Sequence, residues 1–383
     1  MKWVTVWGNA TSIAEHRPET YSKNITLRYP AICAFGGSKV RLHLSNFCGT
    51  EPVTLDKVTI AKGLSDRDID VSTAKAVTFK GSQSVTIDGK CEVFSDEIDF
   101  DVQRGQRLTV SIYLKGFTLM RSGVVITGQL SKGFYSIGDV TMQSNLPLDT
   151  TRTTSTFYFL TGIDLFTDDG NRAVICYGDS ITAQSWPDYL AMMCMQDKDN
   201  NVAIIRRAAS GTRILREYTC ITYESYGLCG KNRFEREIST VSGADSVIIQ
   251  QGINDIIHPV GTDVNPFRPM SDLPTVEELA GGIDYYISLA QKYNLKCYLG
   301  TLLPILGWRT YAPFREEMKN SFNDVLRHKH VSGGCIDFDK QLRSDGDSRA
   351  FKQGYDSGDH LHPSEEAYKA MAALAYKYIK GGK

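Results

Sequence analysis

The hydrophobic pattern of this chain changes period once, near residue 165, and that change limits the folds open to it. From Trp3 to about Leu160, apolar residues recur every second position in short runs such as "KVRLHLSNF", "PVTLDKVTIAKG", "RLTVSIYLKG" and "GVVITGQL". The runs are rich in Val, Thr, Ile and Tyr and are broken by Gly, Asp and Ser at intervals of roughly 8 to 12 residues, the pattern of a half-buried antiparallel sandwich or barrel. Beyond that point, continuous apolar runs, "AVICYG", "NVAIIRRAA", "SVIIQQG", "KCYLGTLLP" and "GCIDFD", alternate with segments of helical spacing. Such runs suit strands buried on both faces of a parallel sheet with helices above and below. The expected organisation is an all-β sandwich (jelly-roll-like) over residues 1–165 and an α/β domain over 166–383. The turn-forming stretch "LFTDDGNR", residues 165 to 172, marks the boundary. At 383 residues the chain exceeds one ordinary core, which agrees with two domains.

Three covering helices can be placed. Thr275 with Glu278 three residues on forms a capping box opening "VEELAGGIDYYISLAQKY". In "FREEMKNSFNDVLRHK", Phe314, Met318, Phe322 and Leu326 fall on one face at i, i+4 spacing, the face expected to be buried. Ser364 caps "EEAYKAMAALAYKYIK", with Glu365 and Glu366 in its first turn.

With 43 basic and 44 acidic residues and a formal net charge of −1, the chain has no basic tract to follow a phosphate backbone or an anionic membrane. Neither a nucleic acid nor a membrane is expected as partner, and the oligomeric state is left open. The N-terminus "MKWVTVWGNATSIAEHRPET" holds no apolar stretch of signal-peptide length, so the chain as it stands reads as cytoplasmic, with secretion open if a leader has been removed. Nine cysteines, scattered and without a Cys-x-x-Cys pair, read as reduced thiols; Cys220 and Cys229 are the one pair close enough in the chain to suggest a bridge.

In an open parallel sheet, ligands bind beyond the carboxyl ends of the strands. Ser180 follows the run "AVICYG" at such an end. A serine hydroxyl becomes a nucleophile when a base takes its proton, and that base must be held in the right tautomer by an acceptor. Seven histidines are available. His16 and His43 lie in the β half, and His258, His328 and His330 lie in polar stretches expected to be exposed. "DSGDHLHPSEEAY" remains, where Asp359 precedes His362 by three residues. Donors for a developing oxyanion are to be sought at neighbouring strand ends: Ser210 and Gly211 after "NVAIIRRAA", Asn254 in "GIND", and the N–H of Ser180 itself.

Residues "GDSIT", Gly211, "GIND" and "DHLHP", in that order, resemble the four blocks of the SGNH or GDSL family of hydrolases. The resemblance implies a three-layer α/β/α flavodoxin-like fold with Ser180 as nucleophile, His362 as general base and Asp359 as its partner. It also implies an oxyanion hole of the Ser180 and Gly211 N–H groups and the Asn254 side chain, and no cofactor or metal. "TLRYPAICAFGGSKVRLHLSN" joined to "GDSIT" resembles bacterial GDSL-type esterases with an N-terminal β-sandwich. One departure stands out: the second block ordinarily opens with Asn and a further Gly, whereas Arg206, Arg207, Ala208 and Ala209 lead into Ser210 here.

The expected function is a serine esterase acting on carboxylic esters, of which short acyl (acetyl) esters on carbohydrate fit best because no apolar lid or membrane-binding stretch is present. A lipase or lysophospholipase acting on longer chains, and an inactive carbohydrate-binding protein, stand as alternatives. Simpler readings also remain open: Ser180 as a helix N-cap, Asn254 and Asp255 as an Asx turn, and His360 with His362 and Asp359 as zinc ligands. Trp186, Trp308, Tyr218, Tyr223 and Tyr226 are candidates for a cleft wall or for packing, and Arg213 for a substrate contact or a loop ion pair.

Overall fold

The computed structural model describes residues 1–14 and 20–381, so His16 lies outside the described residues. Contacts group the chain into two compact units, Met1–Ala173 with Asn201–Ile205, and Val174–Asn200 with Arg206–Lys383.

The first unit is an antiparallel β-sandwich. One sheet runs Lys2–Gly8, Leu160–Thr167, Gly37–Ser45, with Glu92–Phe94 and Ile98–Val102 both pairing to the last of these. The other contains six strands, with Arg107–Leu114 between Ile25–Ile32 and Lys57–Gly63. Alternation puts Val40, Leu42 and Leu44, and likewise Leu108, Val110 and Ile112, on buried faces. Thr109 and Ser111, which alternation would leave wet, are buried as well. Arg28 accounts for the cover over Ser111: its buried guanidinium donates to Ser111 Oγ at 3.0 Å and to the carbonyls of Val140 (2.8 Å) and Gln143 (3.0 Å), tying down the loop above.

The α/β half of the chain is built on five strands, β1 (Arg172–Gly178), β2 (Val202–Ala208), β3 (Ala244–Gln250), β4 (Lys296–Gly300) and β5 (Gly334–Ile336). They form a parallel sheet in the order β2-β1-β3-β4-β5, that of flavodoxin-like doubly wound folds, with the reversal of winding beside β1. The continuous apolar runs are thereby explained: Ala173 to Tyr177 are all fully buried.

Helix ends follow their local chemistry. In α5 (Val276–Lys292) Thr275 and Glu278 form both bonds of the capping box, and Ser364 accepts the Ala367 N–H at 3.3 Å at the start of α8 (Glu365–Gly381). Helix α6 (Pro313–His328) departs from expectation. Phe322 and Leu326 are buried, but Phe314 is 44% exposed and Met318 only half-buried. In their place the helix buries Arg315, Glu316, Lys319 and Asn323. Lys319 and Glu316 pair at 2.8 Å, Arg315 donates to the Ile256 and Pro259 carbonyls, and Asn323 bridges Leu302 N and O at 2.8 Å each. Partnered polar groups thus take up the face that hydrophobic spacing assigned to Phe314. All nine cysteines are free thiols, so Cys220 and Cys229 form no bridge.

The rotated face of α6 separates two phenylalanines of one helix. Phe322→Ala is expected to cost about 3–5 kcal/mol of stability and Phe314→Ala under about 1 kcal/mol, read from urea unfolding of the two variants.

Candidate active site

Ser180 owes its position to the crowded ends of β1 and β3. A Cβ on Gly178 would lie 2.4 Å from the Gln250 carbonyl and 2.4 Å from Thr182 Oγ1, so glycine alone fits where the two strands finish side by side. Asp179, not Ser180, is the N-cap of the short helix α1 (Ser180–Ala183), its carboxylate accepting the Ile181 N–H at 3.1 Å. This capping leaves the Ser180 hydroxyl free to face outward, half-buried, as the first residue of the helix.

That hydroxyl meets a histidine 182 positions further on. Ser180 Oγ lies 2.9 Å from His362 Nε2, and His362 Nδ1 lies 2.6 Å from Asp359 Oδ2. The second Asp359 oxygen accepts the backbone N–H groups of His362 (2.8 Å) and Leu361 (3.0 Å). Partial burial works against the charge, but these bonds from the His362 ring and the two amides outweigh it and hold the Asp359 carboxyl below its usual range. His360 takes a left-handed backbone (φ 65°) and turns to Asp356, 2.5 Å away, leaving Asp359 to His362. Among the described residues no three His, Cys, Asp or Glu side chains gather in a way that could hold a metal ion. The loop bearing His362 continues into α8, whose Glu365 accepts from Ser185 (2.9 Å) and Tyr189 (2.7 Å) at the start of α2 (Trp186–Gln196).

The loop after β2 supplies the opposite side. Gly211 has φ 76°, and a Cβ there would strike the Tyr226 ring at 2.4 Å, so the position admits only glycine. Asn254, on α4 (Ile253–Ile257) after β3, is buried and donates from Nδ2 to the Thr212 carbonyl at 3.0 Å. Asp255 makes no Asx turn: its two oxygens accept the N–H groups of Ile214 (2.7 Å) and Leu215 (3.1 Å), bracing the Gly211 loop against α4. The unusual lead-in is anchored too. Arg206 pairs with Asp188 at 2.5 Å and Arg207 faces Glu237 at 3.6 Å, every one of them buried. Beneath the loop, Arg233 of α3 (Gly230–Ser239) donates to the Gly178 carbonyl at 2.7 Å and to Thr212 Oγ1 and the Arg207 carbonyl at 3.3 Å.

Ser180, Gly211, Asn254 and His362 line one cavity of about 280 Å³, with Tyr226, His258, Trp308 and Arg309 on its further walls. His258, expected in an exposed stretch, is 6% exposed and stacks on Tyr226 at 5.1 Å. Burial first, then the nearby arginines 268, 213 and 309, hold its imidazole well below the usual range and therefore neutral. Of the aromatic candidates, Tyr226 and Trp308 reach the cavity, whereas Trp186 is wholly within the core. Arg213 is a loop brace, paired with Asp272 at 3.0 Å and donating to the carbonyls of Arg216 and Glu217. Asp255, Arg233 and His258 are the residues that motif spacing passed over; only the burial of Asp255 between Ile253 and Ile256 leaves a trace in the sequence, a carboxylate inside an apolar run.

A model of the GDSL-like lipase/acylhydrolase family matches residues 176–370. No curated protein matches the chain. Among solved structures, similarity extends to a GDSL-like lipase from Bacteroides thetaiotaomicron (18% identity, 57% of this chain and 92% of that one, TM-score 0.37). It extends also to an acetyl xylan esterase (18% identity, 54% and 99%, TM-score 0.39) and to a psychrotrophic esterase from Pseudoalteromonas sp. (16% identity, 55% and 98%, TM-score 0.37).

Burial, opposed by the Ile214 and Leu215 N–H bonds and by Arg213, pushes the Asp255 carboxyl up to about 6. The folded state thus holds this proton more tightly than the unfolded chain, whose pKa is about 3.9, and the associated stability is present below that value and lost as pH rises through about 6. The stability of wild type relative to Asp255→Asn is expected to fall by about 2 kcal/mol between pH 4 and pH 7.5, measured by urea unfolding.

Proposed function

The chain belongs to the GDSL-like lipase/acylhydrolase family, and from that premise we propose that it is a serine esterase acting through an acyl-enzyme on Ser180. The observation that carries the reading is the continuous hydrogen-bonded path from Ser180 Oγ through His362 (2.9 Å) to Asp359 (2.6 Å). Ser180 Oγ attacks the ester carbonyl carbon as its proton passes to His362 Nε2, and Asp359 holds the Nδ1–H and stabilises the imidazolium. The carbonyl oxygen, now anionic, is received by the N–H groups of Ser180 and Gly211 and by Asn254 Nδ2, whose bond to the Thr212 carbonyl fixes the amide in place before substrate arrives. On collapse the C–O bond to the alcohol breaks, and His362 gives its proton to the departing oxygen. A water activated by the same imidazole then attacks the acyl-enzyme, releasing the acid and returning the proton to Ser180. Every step is an acid–base or nucleophilic one carried by these side chains, and none calls on a cofactor.

Short acyl groups, acetyl on carbohydrate foremost, fit the cavity best. Its volume of about 280 Å³ lies at the small end for ligand sites, and among the described residues Ile257 and Leu361 are its only aliphatic lining. No described helix is long and apolar enough to cross a membrane. Catalysis is assigned to residues 166–383, with the sandwich over 1–165 as an accessory domain.

A series of nitrophenyl esters from acetyl to long-chain, given to wild type and Ser180→Ala, tests the reading. Activity should peak at the shortest chains and fall by at least about 10³-fold in the variant. Long-chain preference supports the lipase reading, and glycan binding without turnover the binding-protein one. Asn254→Ala should lower kcat by about 10²- to 10³-fold with KM little changed, because an oxyanion donor acts in the transition state.

A further inference from the structure

The cavity that holds Ser180 is lined by two histidines and an arginine and, among the described residues, by no Asp or Glu. Among the described residues Arg309 forms no ion pair; its exposed guanidinium rests over the Trp308 ring, 4.6 Å from the centroid. Behind Tyr226, which packs against Gly211, Arg268 is 8% exposed, and among the described residues it too has no carboxylate partner. It lies 4.4 Å over the Tyr223 ring and donates to Tyr226 Oη at 3.3 Å, and its Nε has no partner. Buried His258 lines the same cavity with an unpartnered Nδ1. The acids around the site are already engaged: Asp359 by His362, Asp272 by Arg213, Asp255 by two backbone amides. A buried or cleft-lining cation is ordinarily matched by an anion, and an unmatched Arg309 in the lining of the cavity that holds Ser180 leaves room for an anion that arrives with the ligand.

The geometry also says which part of an ester would bring it. His362 delivers its proton to the departing alcohol, so the alcohol lies on the imidazole side of Ser180, opposite Gly211 and Asn254. Trp308 stands on that side, edge to face with His362 at 6.5 Å between ring centroids, and Arg309 covers Trp308.

Resting on the esterase reading, we propose that the natural substrate is an acyl ester of an anionic alcohol, and that Arg309, on Trp308, binds its carboxylate or sulfate. Arg309 provides a planar fork suited to an oxyanion, and the Trp308 ring beneath it holds that fork in place. Arg268 adds a fixed positive charge behind Tyr226, on the Gly211 side of the cavity.

Three esters of one scaffold separate the outcomes: para-acetoxybenzoate, para-acetoxybenzenesulfonate and the neutral para-acetoxybenzamide. Comparing wild type with Arg309→Gln cancels their differences in intrinsic reactivity. In the variant, kcat/KM for the anionic esters relative to the amide should fall roughly tenfold, through KM rather than kcat, and Arg309→Lys should restore part of it. The preference should also shrink as salt rises. A larger effect on the carboxylate identifies an acidic sugar as the source, and a larger effect on the sulfonate a sulfated one. An unchanged ratio in Arg309→Gln overturns the proposal while leaving the esterase reading intact. Should no ester be turned over, the esterase reading fails by itself, and calorimetric titration with para-hydroxybenzoate against para-hydroxybenzamide decides the anion site. Tighter carboxylate binding that is lost in Arg309→Gln sustains the site, and equal binding sinks it.

Discussion

One buried guanidinium holds the reactive end of the sheet together. Arg233 is 1% exposed and lies 4.4 Å over the Tyr177 ring, an environment that would reject a cation without partners. Its bonds to the carbonyls of Gly178 and Arg207 and to Thr212 Oγ1 supply them. Those three acceptors belong to the turn before Ser180, the end of β2 and the loop after Gly211. Thr212 extends the network, since its hydroxyl accepts the Gln251 amide at 2.9 Å and its carbonyl accepts Asn254. Nucleophile turn, glycine loop and Asn254 are therefore tied to one another through a single side chain that itself lies outside the cavity lining. The Arg206–Arg207 lead-in belongs to the same scheme, its two cations matched by Asp188 and Glu237.

The carboxylates of the site divide by environment. Asp359 is partly exposed, accepts an imidazole and two amides, and stays ionised. Asp179 and Asp255 are buried, and burial raises them to about 7 and about 6. The first keeps a fixed negative charge behind His362, while the other two serve as backbone braces whose charge costs stability near neutral pH. Beside them the cavity lining, which holds Arg309 and His258, bears no acid among the described residues.

Much of this was legible before any coordinates. The change of period separated sandwich from α/β layers because alternation and continuous burial are direct consequences of how many faces a strand hides. Ser180, Gly211 and Asn254 could be marked because each follows the end of a strand run, and strand ends are visible as the point where apolar runs stop. His362 and Asp359 were marked because they are neighbours in the chain. What could not be read was anything decided by distant partners. Helix α6 buries Arg315, Glu316 and Lys319, which hydrophobic spacing counts as surface, because carbonyls and countercharges from elsewhere receive them. The burial of His258 is half legible: Ile256, Ile257, Pro259 and Val260 around it form an apolar run, while the Tyr218 and Tyr226 rings that enclose it come from about 30 to 40 positions upstream. Nothing in the sequence around Arg233 signals that it reaches beneath two loops.

The separation of Ser180 from its base by 182 positions has a consequence for how the chain comes into being. Strands β1 to β5 can pair, and the Gly211 loop can close over Arg233, while the segment carrying Asp359 and His362 is still being synthesised. Until α8 docks and Glu365 takes the hydroxyls of Ser185 and Tyr189, the Ser180 hydroxyl lacks its His362 partner. Under the proposed esterase mechanism a half-made molecule is thus chemically mute, and the arrival of the last helix is the event that arms it.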